Sequence, residues 1–478
     1  MRRTKIVATI GPASDQPDAL ERLVRAGVDV CRLNLSHGTI DEHLQRLALV
    51  RDLSAPLGRR LGVLADLPGP KIRSGAFPEG GAELHTGSIV SLVPGSAPST
   101  EHTVTIAYPD LLDELRAGDR VVLGDGAISM RVLSHAGDAA LAEVTSGGRV
   151  QGRPGVHLTC DGLSMRAPTD EDLVLADMIA DAGVDYVALS FARSAADVGR
   201  LREVVGDRAR IMAKIETASA LDRLAEIVAV SDAVMVARGD LGIDCPLEDV
   251  PHLQKRIIRY CVEAGVPVVT ATQMLESMVL APSPTRAEVS DVANAVFDGT
   301  DAVMLSAETA VGENPPLVVK TMSRIAERAE AEASYRQWGE RLGRLRRQAG
   351  DAVSPSERIT ESITHAAWQA ADDVGATAIL CCTRSGRLAR AMARFRPIQR
   401  LLALSPSADV LGSLALSWGV ETVPMEEVTS TDDMVWFAVE RAVATGIVAA
   451  GDTAVVIAGA PDRSTEAAAD VMRIVRVS

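Results

Sequence analysis

Lys214 and Glu216 stand at the end of one apolar run, 211–213, and Arg238, Gly239 and Asp240 stand at the end of another, 233–237. Burying charge is costly unless opposite charges, hydrogen bonds or a metal compensate it. Two carboxylates and a lysine collected at neighbouring strand ends therefore point to a hard divalent cation beside a phosphoryl or carboxylate group. The same residues could instead make a structural salt-bridge cluster. Either way they must be positioned by two buried strands with an amphipathic helix between them, which is how 211–240 reads.

That unit is one of a series. Short apolar strands, each followed by a polar or glycine-containing turn and a helix with apolar spacing near 3.6, are predicted at 5–10, 29–33, 62–65, 186–189, 211–213, 233–237, 267–271 and 302–305 once 66–157 is set aside. Strands alternating with helices in this number imply a closed parallel barrel whose ligands sit at the C-terminal strand ends. The residues following each strand are Arg32, Asn34 and Ser36; Asp66; Ser190 and Arg193; Lys214 and Glu216; Arg238 and Asp240; Thr272; and Ser306 and Glu308. Random placement would not sort polar groups to one rim, so the pattern favours a site over a salt-bridge cluster.

Residues 74–157 differ in character, with turn dipeptides at Pro94-Gly95 and Asp125-Gly126, β-rich pieces such as SIVSLV and ALAEVT, and scarcely any helix period. A small β-barrel inserted after the third strand is expected there, placed either as a lid over the rim or as a passive decoration. The barrel is expected over 1–73 and 158–340. After an arginine-rich helix and linker, a separate open α/β domain is expected over 357–478, with strands at 378–382, 400–404, 420–423 and 453–458 and helices at 359–371, 387–394, 409–417 and 432–446. Its first crossover, CTRSGRLARAMARFRPIQR, is basic and free of acids, so it reads either as a phosphate site or as a solvated helix face.

Composition bounds the partners. A chain of 478 residues with 47% hydrophobic content is long enough for two or three cores. A formal charge of −15 opposes nucleic-acid and anionic-membrane binding, so an anionic ligand must be met by local arginine and lysine. No apolar run is long enough for a membrane span, and the opening MRRTKIVATIGPAS lacks a signal-peptide core, so a cytoplasmic location is expected. The six cysteines, at 31, 160, 245, 261, 381 and 382, show no CxxC pair and read as reduced packing residues.

The motifs TKIVATIGPAS, CRLNLSHG, DLPGPKIR, MAKIE, VARGDLGI, TATQMLESM and SPTRAEVSDVANAVFDGTDAVMLSAET together resemble the pyruvate kinase family, in order along the whole barrel. The resemblance implies a TIM barrel, an inserted β domain that closes on nucleotide, a C-terminal regulatory domain and usually a homotetramer. It also implies the chemistry: transfer of the phosphoryl group of phosphoenolpyruvate to ADP, giving pyruvate and ATP. Glu216 and Asp240 match the ligands of the divalent ion, Mg²⁺ or Mn²⁺. Lys214 matches the lysine that stabilises the transferring phosphoryl, Arg32 a residue that binds it, and Arg73 a contact to the nucleotide phosphates. Gly239 and Asp240 begin a turn that can hold the substrate carboxylate, and Thr272 lies beside the substrate. The proton for the enolate is expected on a water near Thr272, Ser306 and Glu308, although the last two could be supports only. His37 is either a nucleotide neighbour or a local hydrogen-bonding residue. Met274 and Met278 read as core.

Two further expectations concern a monovalent cation and an effector. Asn34, Ser36, Asp66 and the carbonyl of Leu67 match the family's monovalent-cation pocket, but Lys71 stands where potassium-dependent members carry glutamate, so activity without K⁺ is expected. In the basic first crossover the local charge opposes the acidic whole, so a phosphorylated metabolite, AMP or a sugar phosphate, is expected near Thr383, Ser385 and Arg387, although Leu388 departs from the hydroxyl residues usual in sugar-bisphosphate-regulated members. A magnesium-dependent lyase acting on a pyruvate enolate and a catalytically silent, ligand-sensing relative are the alternatives.

Overall fold

The computed structural model describes residues 2–54, 60–124, 126, 128–159, 165–333, 335–348, 355–428, 430–459 and 469–478; Asp125 and Cys160 lie outside them. Eight strands close a parallel barrel in the order Lys5–Thr9, Ala302–Leu305, Val268–Ala271, Ala233–Ala237, Arg210–Ile215, Tyr186–Leu189, Gly62–Asp66 and Val30–Asn34. Their runs of β-branched and small apolar residues suit strands buried on both faces. The interior is packed by Val7, Leu64, Tyr186, Met212, Met235 and Met304. The surrounding helices present one apolar stripe each and are started by side-chain caps, as at Thr169 and Thr285, where capping boxes form with Asp172 and Glu288. Between Arg210–Ile215 and Ala233–Ala237 the expected single helix is two, Ala218–Asp222 and Leu224–Val230, because Arg223 leaves helical geometry at φ −110°, ψ 19°.

At the N-terminal end of the barrel one device recurs. Asp29, Asp185, Asp232 and Asp301 each stand immediately before a strand, and each carboxylate accepts the backbone N–H of the neighbouring strand, from Ile6, Val63, Ile211 and Val268, at 2.7–3.0 Å. Each is also paired with arginine: Asp29 with Arg2, Asp185 with Arg51 and Arg60, Asp232 with Arg202, and Asp301 with Arg396. These bonds pin register where no chemistry is needed, which leaves the other rim free for it.

The inserted region forms a seven-stranded sheet in the order Ile72–Arg73, Gly155–Thr159, Arg120–Leu123, Ile128–Ala136, Ala139–Ser146, Ile89–Pro94 and Thr103–Ile106, plus a pair of short strands, Gly148–Val150 and Ala82–Leu84. Its edges meet: Ala107 N donates to Arg73 O and Gly75 N to Thr105 O, each at 2.9 Å, so the sheet curls almost into a barrel around its own core.

The C-terminal region is a five-stranded sheet in the order Val420–Pro424, Arg400–Ser405, Ala378–Cys382, Thr453–Gly459 and Ala469–Arg476. The last strand, antiparallel to its neighbour, was not expected from sequence. The helix expected over 409–417 covers only Ala408–Ser413. The following Ala415 and Leu416 turn under the barrel and plug its floor, and the Tyr186 hydroxyl donates to Ser413 O there.

Candidate active site

The expected rim residues converge where the strands end. Asp66, 1% exposed, receives Arg32 on Oδ2, from Nε at 2.8 Å and Nη2 at 2.7 Å, and has the Lys214 ammonium 3.2 Å from Oδ1. Lys214 also stands 2.9 Å from Glu216 Oε1 and donates to Ser190 Oγ at 2.7 Å. Arg32 is steadied on its far side by Thr9 Oγ1 at 2.9 Å, and Ser190 Oγ donates onward to Leu67 O at 2.8 Å. Glu216 Oε2 accepts the N–H of Phe191 at 2.7 Å, in a turn where Phe191 takes φ +54°. Sequence reasoning missed Thr9 and Phe191, since neither carries a charge that marks a site.

The charges set one another. Burial alone would raise the Asp66 carboxyl, but Lys214 and Arg32 outweigh it and hold Asp66 below the usual carboxylate range. Burial would likewise lower Lys214, yet Asp66 and Glu216 keep its ammonium protonated well above the ordinary lysine value. Glu216 goes the other way, pushed up by burial and by the nearby Asp240 despite Lys214. A buried carboxylate whose proton affinity is raised by a second carboxylate nearby draws positive charge, and hard oxygens of this kind fit a divalent ion. Among the described residues no larger group of acids, histidines or cysteines gathers, so such an ion would take its remaining ligands from substrate and water, as Mg²⁺ commonly does.

Around this centre, Lys71 donates to Ser36 Oγ at 2.7 Å and Ser36 N to Asn34 Oδ1 at 3.3 Å, so the lysine enters the group Asn34, Ser36, Asp66 and Leu67. Burial, then Lys214 and Arg73, lower the Lys71 ammonium. Partial burial, then Lys71, Arg73 and Arg32, lower the His37 imidazole from its ordinary value, while its carbonyl accepts from His43. Arg73, exposed, donates to Arg153 O at 3.2 Å, at the entry and exit of the inserted sheet.

Thr272 takes φ +68°, and its Oγ1 accepts the N–H of Gly239 at 2.8 Å, so the amide expected to meet a substrate carboxylate already holds a hydroxyl. A Cβ at Gly239 would come no nearer than 3.6 Å to Thr272, so glycine there keeps an approach open rather than relieving a clash. Glu308, 2% exposed, accepts Ser306 N at 2.6 Å and Leu275 N at 3.2 Å, bracing two rim turns. Met274 and Met278 are buried in the core. Away from the rim, at the end of Ala378–Cys382, Thr383 Oγ1 accepts Gly386 N at 3.0 Å, Ser385 Oγ accepts Arg387 N at 3.4 Å, and Arg384 pairs with Glu427 at 3.1 Å.

Residues 1–319 match the family model described as pyruvate kinase, barrel domain, and residues 361–475 that described as pyruvate kinase, alpha/beta domain. Similar proteins include a pyruvate kinase of Methylorubrum extorquens, 40% identical over 96% of this chain and 94% of the relative. One from Agrobacterium vitis is 42% identical over 96% and 95%, and one from Mycobacterium tuberculosis is 40% identical over the same shares. With two domain models matched in order and relatives similar over nearly their full length, the chain belongs to the pyruvate kinase family.

Proposed function

We propose that the rim performs the family's reaction, phosphoryl transfer from phosphoenolpyruvate to ADP, as follows. The observation that carries the reading is the Lys214 ammonium held between Asp66 and Glu216, with Arg32 on the other side of Asp66. Arg32 and Lys214 neutralise the phosphoryl oxygens as charge spreads over them in flight, where positioning and electrostatics dominate over covalent chemistry. Glu216 and Asp240 would hold the divalent ion, Mg²⁺ or Mn²⁺, which supplies further positive charge to the phosphoryl group and the enolate. The turn at Gly239 and Asp240 receives the substrate carboxylate, displacing the Thr272 hydroxyl from the Gly239 amide. Thr272 then lies beside the enolate carbon, where a water protonates it, and Ser306 and Glu308 hold the surrounding turns. Arg73 and His37 face the nucleotide from the side of the inserted sheet, residues 74–157, which acts as a lid. A coupled assay for pyruvate tests this: phosphoenolpyruvate must be consumed only with ADP present. Consumption without nucleotide would restore the lyase alternative, which the comparisons do not support.

Lys71 supports activity without K⁺, because its ammonium already occupies the Ser36 hydroxyl of the cation pocket. A phosphorylated effector, AMP or a sugar phosphate, is assigned to Thr383, Ser385 and Arg387 on the strength of the surrounding arginines; calorimetric titration with each compound checks it. A cytoplasmic homotetramer is the assembly we attach to this reading, to be checked by light scattering and fractionation. The five described cysteines, at 31, 245, 261, 381 and 382, are buried, and no described helix is long and apolar enough to cross a membrane.

A further inference from the structure

The chain leaves the strand Val268–Ala271 through two consecutive non-glycine residues in the left-handed region, Thr272 at φ +68° and Gln273 at φ +52°. A β-branched residue is an outlier there, and such geometry persists only where its surroundings over-determine it. One side chain supplies three bonds to this turn. Arg238, buried to 10% exposure, donates Nε to Ala271 O at 3.2 Å and Nη2 to Thr272 O at 2.5 Å and to Met274 Sδ at 2.8 Å. Its remaining nitrogen, Nη1, is fixed from the other side by both oxygens of Asp291, at 2.7 and 2.6 Å, and by Gln254 Oε1 at 3.3 Å. Gln254 is itself held by Asp298 at 3.0 Å.

We propose that Arg238 is a positioning residue for Thr272, with Asp291 as the anchor that orients its guanidinium. Arg238 begins the tripeptide that carries Gly239 and Asp240, and its neighbour Gly239 donates to Thr272 Oγ1 at 2.8 Å. One residue therefore ties the turn assigned to the metal and the substrate carboxylate to the turn that aims the threonine hydroxyl. A planar guanidinium can bond two diverging carbonyls and a carboxylate at once, whereas a lysine ammonium could meet Asp291 but not hold both carbonyls. Displacing a reacting group by about 1 Å costs about a hundredfold in rate, so loss of the clasp should appear at the proton-transfer step while substrate binding is kept.

The inference rests on Thr272 lying at the enolate, and the test separates the two. In deuterated water, with Mg²⁺ and ATP, the methyl protons of pyruvate exchange as the C–H bond breaks to give the enolate and a deuteron is added back. Arg238→Lys and Asp291→Asn should each slow this exchange, Arg238→Lys by about a hundredfold and Asp291→Asn by about tenfold. Phosphoenolpyruvate affinity, by isothermal titration, should change less than about threefold, and the melting temperature should stay near that of wild type. Thr272→Val, isosteric without the hydroxyl, should slow exchange at least as much. If Thr272→Val loses exchange while Arg238→Lys and Asp291→Asn keep it within about threefold, the clasp is overturned and the assignment of Thr272 stands. If Thr272→Val keeps exchange, both fall. Should Arg238→Lys fail to fold, Asp291→Asn carries the test, because it keeps the arginine and removes only the charge that orients its guanidinium. A loss of exchange, affinity and melting temperature together would mark a structural role and overturn the proposal.

Discussion

Lys214 owes its charge to Asp66 and Glu216 and its direction to Ser190, so its ammonium is fixed before substrate arrives. Lys214→Met should cut kcat by about a thousandfold and leave phosphoenolpyruvate affinity nearly unchanged, because the charge matters most as the phosphoryl group transfers. A kcat within tenfold of wild type would remove the role assigned to it. Glu216 supplies a pH test. Its carboxyl is raised above the usual value of 4.5 by burial and Asp240, so as pH falls through that raised value a proton displaces the metal. Apparent Mg²⁺ affinity should therefore weaken about tenfold per pH unit on the acid side, beginning at higher pH than for an ordinary carboxylate. Metal titrations across this range read it directly, and an affinity that begins to weaken only below pH 4.5 would contradict it. Lys71 bears on the monovalent ion. Two cations about 4 Å apart at an effective dielectric of 20 would repel by about 4 kcal/mol, which is why this lysine is proposed to take the place of K⁺. In tetramethylammonium buffer the wild type should be fully active with Mg²⁺ alone, and Lys71→Glu should acquire a K⁺ requirement. A hundredfold stimulation of wild type by K⁺ would sink the idea.

The loops at the strand ends translate these side chains into geometry. Gly69 follows Gly62–Asp66 at φ +70°, and a Cβ there would stand 2.7 Å from Ser190 Cβ. Gly69→Ala should therefore cost about 1–2 kcal/mol of backbone strain and also push away the serine that orients Lys214. Both a lower melting temperature and a lower kcat are expected; a fall in stability with kcat intact would show that Ser190 does not orient the lysine. The strands themselves were legible because a strand buried on both faces is a continuous apolar run, and the rim was legible because polar residues interrupt those runs at the same end. What escaped the sequence depends on distant partners. The break at Arg223 lies inside an acceptable helical pattern. The strand Ala469–Arg476 carries Arg473 and Arg476, so it lacks the apolar run that marked its neighbours. The left-handed turn at Thr272 has no glycine or asparagine to announce it, and the arginine that enforces it is anchored 53 residues away on the helix Arg286–Asp298.

At the scale of the molecule the two ends of the barrel divide the work. The C-terminal rim gathers charge for chemistry, while at the opposite end four aspartates pin the strands in pairs. Three of these aspartates draw arginines from the barrel's own residues; Asp301 draws Arg396 from beyond the linker, at 3.1 Å. Arg396 is 2% exposed, donates also to Gly299 O at 2.6 Å and lies over Trp418 at 4.8 Å, while Trp418 N reaches the same Asp301 oxygen at 3.2 Å. The C-terminal sheet thus completes the last of the four aspartate pairs and plugs the barrel floor with Leu416. Breaking one partner of a buried ion pair costs about 3–5 kcal/mol because the other is left uncompensated. Arg396→Leu should consequently lower the melting temperature by several degrees and split one calorimetric transition into two, the C-terminal domain melting first. The KM for phosphoenolpyruvate should hold, since the pair lies at the far end of the strands from the rim. Adding Asp301→Asn to Arg396→Leu should recover part of the loss, because the stranded charge is gone. A single transition within about a degree of wild type would show that the domains are joined by something other than this pair.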